Sequence, residues 1–321
     1  MTAHAGPITI DRAAAAASLA FPRLIPALRA AFIAGAETPL RHRHALAAPG
    51  AAEASLLLMP AWRGRQALGV KIVSVFPENG ALGLNAVSST YLLCDGATGR
   101  HLAVIDGNEI TGRRTAAASA LAGDYLARPD AASLLVVGAG HIAGMLPAAW
   151  AAVRPIRRVR VWNRTLAAAE ALAASLRQQG LDATAEPELE AGVRASDIIS
   201  CATLATTPLI RGAWLRPGAH LDLIGGYRPD MREADDTAIA RAGVWIDTDA
   251  ALAEAGDITQ PLAAGVLARA AIRGDLFGLC RGQARGRATA DDITLFKSVG
   301  SAIEDLAAAA LVHADHAAGT P

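Results

Sequence analysis

The sequence predicts an α/β protein whose second half forms a mostly parallel, doubly wound sheet. Short apolar runs such as SLLVVG (133–138) and RVRVWN (158–163) are typical of buried strands. Helix-like segments separate these runs, and LAAAEALAASLRQQG (166–180) is one that Gly180 ends. A regular alternation of strands with helices implies parallel strands. The 321 residues are enough for one large or two medium domains with a sizeable core.

Residues 1–125 show a different pattern, in which short strand-like runs are separated by turns. The runs are LLLMPAW (56–62), GVKIVSVFP (69–77) and TYLLCD (90–95). Gly, Pro, Asn or Asp bound each of them. A helix is predicted over 115–126, and ARPD (127–130) ends it. The change to strand–helix alternation near residue 127 therefore indicates a domain boundary.

Three further strands and a terminal helix complete the second half. The strands are predicted at DIISCAT (197–203), HLDLIG (220–225) and GVWIDT (243–248). The segment SVGSAIEDLAAAALVHADH (298–316) is predicted to be one amphipathic helix. Residues 134–153 carry no charged side chain and have the length of a membrane span, but Gly138, Gly140 and Gly144 interrupt them. A strand, a glycine turn and a helix are expected there instead, with no role for a membrane.

Composition and charge exclude several classes of function. The chain has 30 basic and 30 acidic residues, so no electrostatic footprint for nucleic acid is expected. The pairs His42/His44 and His313/His316 lack companion ligands, so no metal site is expected. No signal peptide pattern occurs in residues 1–7. Three widely spaced cysteines favour reduced core thiols in a cytoplasmic protein, and they are Cys94, Cys201 and Cys280.

A glycine-rich turn follows the first strand of the alternating region. VVGAGHIAG (136–144) places Gly138-x-Gly140-x-x-Ala143 between a strand and a helix, with His141 and Ile142 inside the turn. The first glycine permits the tight turn, the second lets the backbone approach a pyrophosphate, and the alanine allows close packing. The helix N-terminus supplies free N–H groups to the phosphates. This context predicts a nicotinamide dinucleotide site rather than an ordinary tight turn.

Later strand ends are expected to line the nicotinamide half of that site, because ligands of doubly wound sheets bind at the carboxyl ends of the strands. The residues concerned are Cys201, Ala202, Thr203 and Gly225. Lys297, in TLFKS, is expected to approach the same pocket from the C-terminal segment.

The end of the second strand predicts which dinucleotide binds. An acidic residue there would bind the ribose 2′-hydroxyl of NAD. The sequence has Asn163, Arg164 and Thr165 instead, and Arg164 can pair with a 2′-phosphate. NADPH is therefore expected, with NADH as the alternative. The same three residues could also form a solvent-facing turn that caps the next helix.

Several stretches together resemble the ornithine cyclodeaminase/mu-crystallin family, in order from about residue 69 to 312. They are GVKIVSVFP, AVIDGNEITGRRTAAASALA, VVGAGHIA, VRVWNRT, CATLATTPLI, LIGGYRPDMREADD and ITLFKSVGSAIEDLAAAALV. The resemblance implies a homodimer. It also implies a Rossmann domain (127–297) inserted in an α+β domain for substrate binding and dimerisation (1–126 plus 298–321).

The resemblance also implies substrate-binding residues. Lys71 of the GVK stretch and Arg114 of the RTAA stretch match family positions in the substrate pocket. Arg41 resembles a further family arginine that holds the substrate carboxylate, and Thr90 is expected to line the pocket. A guanidinium fork suits a carboxylate, and an ammonium beside a C=N bond can supply a proton. Without the resemblance, Lys71 and Arg114 would be interpreted as a strand-edge lysine and a surface charge.

Tyr227 indicates the branch of the family. Cyclodeaminases of the family carry an aspartate directly after the glycine pair, and this chain has Tyr227 there. A phenol is a poor general base at neutral pH. Nearby Asp230 and Glu233 belong to the R-P-x-x-R-E ending that the chain shares with the mu-crystallin branch. Members of that branch are ketimine reductases. In this chain, Tyr227 is expected to shape the pocket or to hydrogen-bond to cofactor or substrate.

The expected reaction is thus NADPH-dependent reduction of a cyclic ketimine carboxylate. The substrate would be Δ1-pyrroline-2-carboxylate, giving L-proline, or Δ1-piperideine-2-carboxylate, giving L-pipecolate, and the sequence leaves the ring size open. Three alternatives remain: an ornithine cyclodeaminase, an amino-acid dehydrogenase and a non-catalytic NADPH-dependent binding protein.

Overall fold

A computed structural model describes residues 6–47 and 52–319. The chain forms two compact units, one within residues 1–114 and 301–321 and the other within 115–300. The first division falls inside a helix, Gly107–Leu126. The predicted division after residues 126 and 297 stays a prediction.

The first unit contains a six-stranded sheet. Its strands are β1 (Ile8–Ile10), β2 (His42–Leu46), β3 (Ala54–Arg63), β4 (Ala67–Val75), β5 (Val87–Asp95) and β6 (His101–Asp106), in the spatial order β1-β6-β5-β4-β3-β2. The β1–β6 pair is parallel and the other pairs are antiparallel. A 3₁₀ turn (Pro77–Leu82) joins β4 to β5. The three predicted strand runs of this region are confirmed.

Helices accompany the sheet of the first unit. They are α1 (Arg12–Ser18), α2 (Phe21–Ala34), the start of α3 (Gly107–Leu126) and the C-terminal helix α11 (Ala302–Ala317). The predicted start of α3 at residue 115 was wrong. The helix begins at Gly107, because Asp106 Oδ1 accepts a hydrogen bond from Glu109 N (2.7 Å) and so caps the first turn.

The second unit contains an eight-stranded sheet in which every strand pair is parallel. The strands are β7 (Ser133–Val137), β8 (Arg158–Trp162), β9 (Ala183–Ala185), β10 (Ile198–Cys201), β11 (His220–Leu223), β12 (Gly243–Ile246), β13 (Ile272–Asp275) and β14 (Thr294–Lys297). The spatial order is β13-β12-β14-β11-β10-β7-β8-β9. The predicted doubly wound sheet is confirmed. The strands β9, β13 and β14 were not predicted from the sequence.

Seven helices of the second unit follow α3 in the described chain. They are α4 (His141–Ala151), α5 (Leu166–Gln178), α6 (Leu189–Ala195), α7 (Asp236–Arg241), α8 (Ala251–Glu254), α9 (Gly256–Ala263) and α10 (Leu276–Cys280). All three cysteines lie in the described part of the chain, are buried, and form no disulfide.

Within residues 6–47 and 52–319, no single helix has the length and hydropathy of a membrane span. The bent pair α1 and α2, with 76° between its helices, meets the criteria of length and composition together.

Candidate active site

The glycine turn of the second unit has the local geometry of a dinucleotide site. Gly138 follows β7 with a φ of +115°, and a Cβ there would lie 2.7 Å from Ala202 O. Only glycine fits this position. A Cβ on Gly140 would meet nothing within 4 Å, and Gly140 itself is exposed. Gly140 is the N-cap of α4, so the first N–H groups of that helix are open to a phosphate. These residues therefore fit a dinucleotide.

The strand order places this turn at a topological switch point. From β7 the sheet continues through β8 in one direction and through β10 in the other. Ala202 N donates to Val137 O (2.9 Å), so the ends of β7 and β10 lie side by side. Crevices of this kind bind ligands in doubly wound sheets. The predicted residues Gly138, Ala202 and Thr203 are brought together at this edge.

The remaining predicted residues of the turn differ in exposure. His141 is exposed and Ile142 is half-buried at the start of α4. The Cys201 side chain is fully buried, and burial raises the pKa of its thiol well above the ordinary value. Cys201 can therefore offer its backbone rather than its sulfur to a ligand in the crevice.

The end of β8 carries the predicted 2′-phosphate residues. Arg164 and Thr165 are exposed and Asn163 is half-buried. Asn163 Nδ2 donates to Thr165 O (3.1 Å), which holds the turn closed. Thr165 is the N-cap of α5, but its side chain forms no capping hydrogen bond. The arrangement leaves the Arg164 guanidinium at the surface, where an anion can reach it.

Lys297 lies in a buried ion-pair cluster. Its side chain is fully buried, with Nζ 3.0 Å from Asp257 Oδ2 and 3.9 Å from Glu233 Oε2. Asp257 Oδ1 also accepts from Glu233 N (2.8 Å) and Ala234 N (3.1 Å). The Lys297 ammonium thus lies between two carboxylates, and its predicted approach to the cofactor pocket stays a prediction.

Glu233 connects the ends of two neighbouring strands. Its Oε1 accepts from Thr203 N (2.8 Å) and Thr203 Oγ1 (2.7 Å), just beyond β10. Its Oε2 accepts from Gly225 N (2.9 Å) and Gly226 N (3.4 Å), just beyond β11. Burial raises the pKa of Glu233 to about 7, although Lys297 opposes the rise. Sequence analysis placed Glu233 in a motif but assigned it no role.

Tyr227 follows the two glycines at the end of β11. Its ring is half-buried and packs against the hydrophobic core of the second unit. The predicted role of Tyr227, shaping the pocket or hydrogen-bonding to cofactor or substrate, stays a prediction.

A second cluster of buried charges lies in the first unit. Lys71 Nζ, on β4, is 2.9 Å and 2.8 Å from the two carboxylate oxygens of Asp305 on α11. Arg114, on α3, donates from Nε to Asp305 Oδ1 (2.9 Å) and from Nη1 to Glu304 Oε2 (2.9 Å). The exposed fraction of each of these residues is 5% or less. Two cations and two carboxylates are thus held together out of water.

The charged groups of this cluster shift one another's pKa values. Burial lowers the pKa of Lys71 to about 8; Asp305 opposes this, and the charges of Arg114 and Arg41 add to it. Burial alone would raise the pKa of Asp305, but Lys71 and Arg114 hold it below its ordinary value. The charge of Arg41, which is half-buried, therefore acts on Lys71, and its predicted role in holding the substrate carboxylate stays a prediction.

The strand pairing places an aromatic ring beside Lys71. Tyr91 is the cross-strand partner of Lys71 on β5. The Tyr91 ring lies over Gly69, where a Cβ would be 2.3 Å from the phenol oxygen. Because Gly69 has no side chain, the Tyr91 ring can occupy this space beside Lys71. Thr90, the neighbour of Tyr91, is exposed and lies on the opposite face of the sheet, so the first unit does not bring it to Lys71.

Three acidic partners in the two clusters, Asp257, Glu304 and Asp305, were not predicted as site residues. Glu304 and Asp305 are adjacent carboxylates in an otherwise apolar helical segment, which is itself a signal. A second signal is the lysine content. The chain has only two lysines among its 30 basic residues, Lys71 and Lys297, and both are buried on carboxylates.

In the part of the chain that the structure describes, no group of three or more His, Cys, Asp and Glu side chains has an arrangement that could hold a metal ion.

The glycine turn, the switch point and the parallel sheet define a dinucleotide-binding α/β protein. Comparison with known sequences identifies the family. The profile of the ornithine cyclodeaminase/mu-crystallin family matches residues 15–320, and this chain belongs to that family. The resemblance inferred from the sequence motifs is confirmed.

Two relatives and one solved structure are particularly informative. The chain is 41% identical over 260 residues to the Δ1-pyrroline-2-carboxylate reductase of Paracoccus denitrificans, covering 80% of this chain and 82% of that protein. It is 36% identical over 264 residues to the ketimine reductase mu-crystallin of Rattus norvegicus, covering 82% and 80%. The structure of Thermococcus litoralis Δ1-pyrroline-2-carboxylate reductase, in complex with NADH and L-proline, superimposes with a TM-score of 0.91 at 32% identity and covers 98% of both chains.

Proposed function

We propose that this protein is an NAD(P)H-dependent imine reductase that converts Δ1-pyrroline-2-carboxylate to L-proline. The similarity to the two named reductases and the fit of the glycine turn to a dinucleotide support the class of reaction. The observation that carries the proposal is the buried Lys71–Asp305 pair with Arg114 beside it. These groups match the needs of a substrate that has one carboxylate and one C=N bond.

Arg114 is proposed to bind the substrate carboxylate. Its bonds to Asp305 and Glu304 use Nε and Nη1, and Nη2 carries two further N–H groups. The two carboxylates fix the orientation of the guanidinium plane. Arg41 adds positive charge near Lys71, and this charge favours the binding of an anion beside Lys71. A planar fork held in this way suits a carboxylate better than a mobile surface arginine does.

Lys71 is proposed to protonate the imine nitrogen. The ammonium has three N–H donors, and Asp305 lies within 2.9 Å of it. A lysine with a pKa of about 8 gives up a proton more readily than an ordinary lysine. The proton passes from Lys71 Nζ to the ring nitrogen, the C=N π pair becomes the nitrogen lone pair, and Lys71 regains a proton from solvent. Bound NAD(P)H supplies the hydride that C2 receives.

The finer parts of the proposal concern cofactor, ring size and assembly. Arg164 at the end of β8 supports a preference for NADPH over NADH. Reduction of the six-membered Δ1-piperideine-2-carboxylate uses the same chemistry and belongs to the same proposal. The homodimer implied by the family is proposed as the assembly. Tyr227 supports reduction rather than deamination, because it supplies no carboxylate base after the glycine pair.

The test uses purified protein and the near-ultraviolet absorbance of reduced nicotinamide. One reaction contains Δ1-pyrroline-2-carboxylate with NADPH, and a second contains NADH. Parallel reactions contain L-ornithine with NAD⁺ and an ammonia assay, and pyruvate with ammonia and NADH. Oxidation of NAD(P)H with the imine alone is expected. Ammonia release from ornithine without net cofactor reduction would overturn the proposal, as would turnover that requires free ammonia.

A further inference from the structure

Glu233 lies at the carboxyl edge of the parallel sheet of the second unit and binds backbone on two strands. The Thr203 donors belong to the segment after β10, and the Gly225 and Gly226 donors to the segment after β11. All of these partners are N–H or O–H donors, so the carboxylate acts only as an acceptor. One side chain thus sets the spacing of two neighbouring segments.

The two segments are in direct contact at this point. A Cβ on Gly225 would lie 2.0 Å from Thr203 O and 2.2 Å from Thr203 N. No side chain fits between them, so the backbone of one segment rests on the backbone of the other. A small movement of either segment therefore changes the surface that both present. Glu233 is the group that holds them in register.

The surroundings of Glu233 hold its carboxylate in place, and Lys297 favours the ionised form against the burial that raises its pKa to about 7. Lys297 Nζ lies 3.9 Å from Oε2, and Asp257 accepts from the Glu233 backbone N–H. The buried thiol of Cys201 also lies close enough to interact electrostatically with Glu233. Glu233, Asp257 and Lys297 are fully buried. None of the three needs to touch a ligand in order to control the strand ends.

We propose that Glu233 is a positioning residue for the nicotinamide half of the dinucleotide, acting through Thr203 and Gly225. The inference rests on the dinucleotide-binding part of the proposed function and is independent of the imine substrate. The N–H groups that would bind phosphate follow Gly140, the N-cap of α4, and a Cβ on Gly140 would meet nothing within 4 Å, whereas Gly138 lies beside Ala202 and Thr203. Loss of Glu233 should therefore weaken binding of the nicotinamide half and leave binding of the ADP-ribose half intact.

The test compares two ligands on the same protein by calorimetry, without substrate. NADH contains both halves of the dinucleotide, and ADP-ribose lacks the nicotinamide. The variant Glu233→Gln keeps the shape but places an NH₂ group against N–H donors. It should raise the Kd for NADH about tenfold or more and change the Kd for ADP-ribose less than about twofold. Asp230→Asn is the matched control, because Asp230 is exposed on the same loop and pairs with Arg228; both Kd values should stay unchanged.

The outcomes separate positioning from general destabilisation. An equal loss of affinity for both ligands in Glu233→Gln, or no loss for either, overturns the proposal. If Glu233→Gln does not fold, the wild-type protein decides, because Glu233 has a pKa of about 7. The ratio of the two Kd values should then shift against NADH as pH falls through neutrality, and a flat ratio overturns the proposal. If the wild-type protein binds neither ligand, the proposed function fails, and this inference fails with it.

Discussion

Lys71 and Asp305 form a buried ion pair across 234 positions of sequence. The pair joins β4 to α11, and the C-terminal helix therefore supplies the counter-charge for a lysine near the start of the chain. Lys71 is 2% exposed and Asp305 is fully buried. An ammonium held in this way has a fixed position and a lowered pKa, which are the two properties that a proton donor needs.

Replacement of Lys71 by methionine should lower kcat for imine reduction about 10²- to 10⁴-fold, since it removes the proton donor. Arg114 still compensates Asp305 in this variant, so the fold should persist.

In the wild-type protein, kcat/KM should be highest below pH 8 and fall as the pH rises through about 8, where Lys71 loses its proton. Because the chain has only two lysines, isotope-labelled lysine gives two NMR signals, and one should titrate near that pH. A wild-type pH profile without this fall would contradict the role of Lys71.

Changes at Arg114 should separate substrate binding from stability. Arg114→Ala leaves Glu304 and Asp305 buried with less compensation, which costs about 3–5 kcal/mol of unfolding free energy. Arg114→Lys keeps the charge but loses the planar fork, so KM for the imine should rise about tenfold or more while the Kd for NADPH is unchanged. Arg113→Ala is the control, because Arg113 pairs with Glu109 instead. Steady-state kinetics with an unchanged KM in Arg114→Lys would exclude the carboxylate role.

Arg164→Ala should change the choice of dinucleotide. The loss of charge-assisted hydrogen bonds to a 2′-phosphate should raise KM for NADPH about 10- to 100-fold, while KM for NADH changes less than about twofold. Arg158→Ala, at the opposite end of β8, is the control for a lost surface arginine. Equal effects on both dinucleotides would mean that Arg164 does not select NADPH.

Tyr227→Phe should retain the activity of the wild-type protein within about threefold. The ring packs against the core of the second unit, and phenylalanine preserves that packing. No step of the proposed reaction uses the phenol. A loss of kcat of about 10²-fold or more, measured with the imine at saturation, would instead assign acid–base work to this hydroxyl.

His220 should make the second unit sensitive to acid. The ring is fully buried, with Nδ1 2.9 Å from Thr294 Oγ1, and burial, with help from Arg287 and Arg154, lowers its pKa to about 3. Between pH 6.5 and pH 3 the His220 imidazole is protonated in the unfolded chain but neutral in the folded protein. The free energy of unfolding should therefore fall as the pH falls from 6.5 to about 3. His220→Gln should flatten this slope in denaturant titrations at a series of pH values. His101→Gln, at an exposed histidine, is the control, and equal slopes for the wild-type protein and His220→Gln would contradict the prediction.

Much of the second unit could be predicted because its signals are local. Five of the eight parallel strands were recognised as apolar runs, and the turn at Gly138 was recognised from glycines placed between a strand and a helix. The strand β14 was not recognised, although β10, β11 and β12, which also have four residues each, were. Its position between β11 and β12 is out of sequence order, and no local pattern encodes that.

The sequence by itself determined the class of fold, the glycine turn, the family and the cationic residues Lys71 and Arg114, because these depend on neighbouring residues or on motifs. Only the tertiary structure showed that Asp305 and Glu304 hold those cations, and that Glu233 joins the ends of β10 and β11. The physical reason is the range of the interactions. Backbone sterics and hydrophobic periodicity act over a few residues, whereas burial and the pairing of charges depend on contacts that the folded chain makes across hundreds of positions.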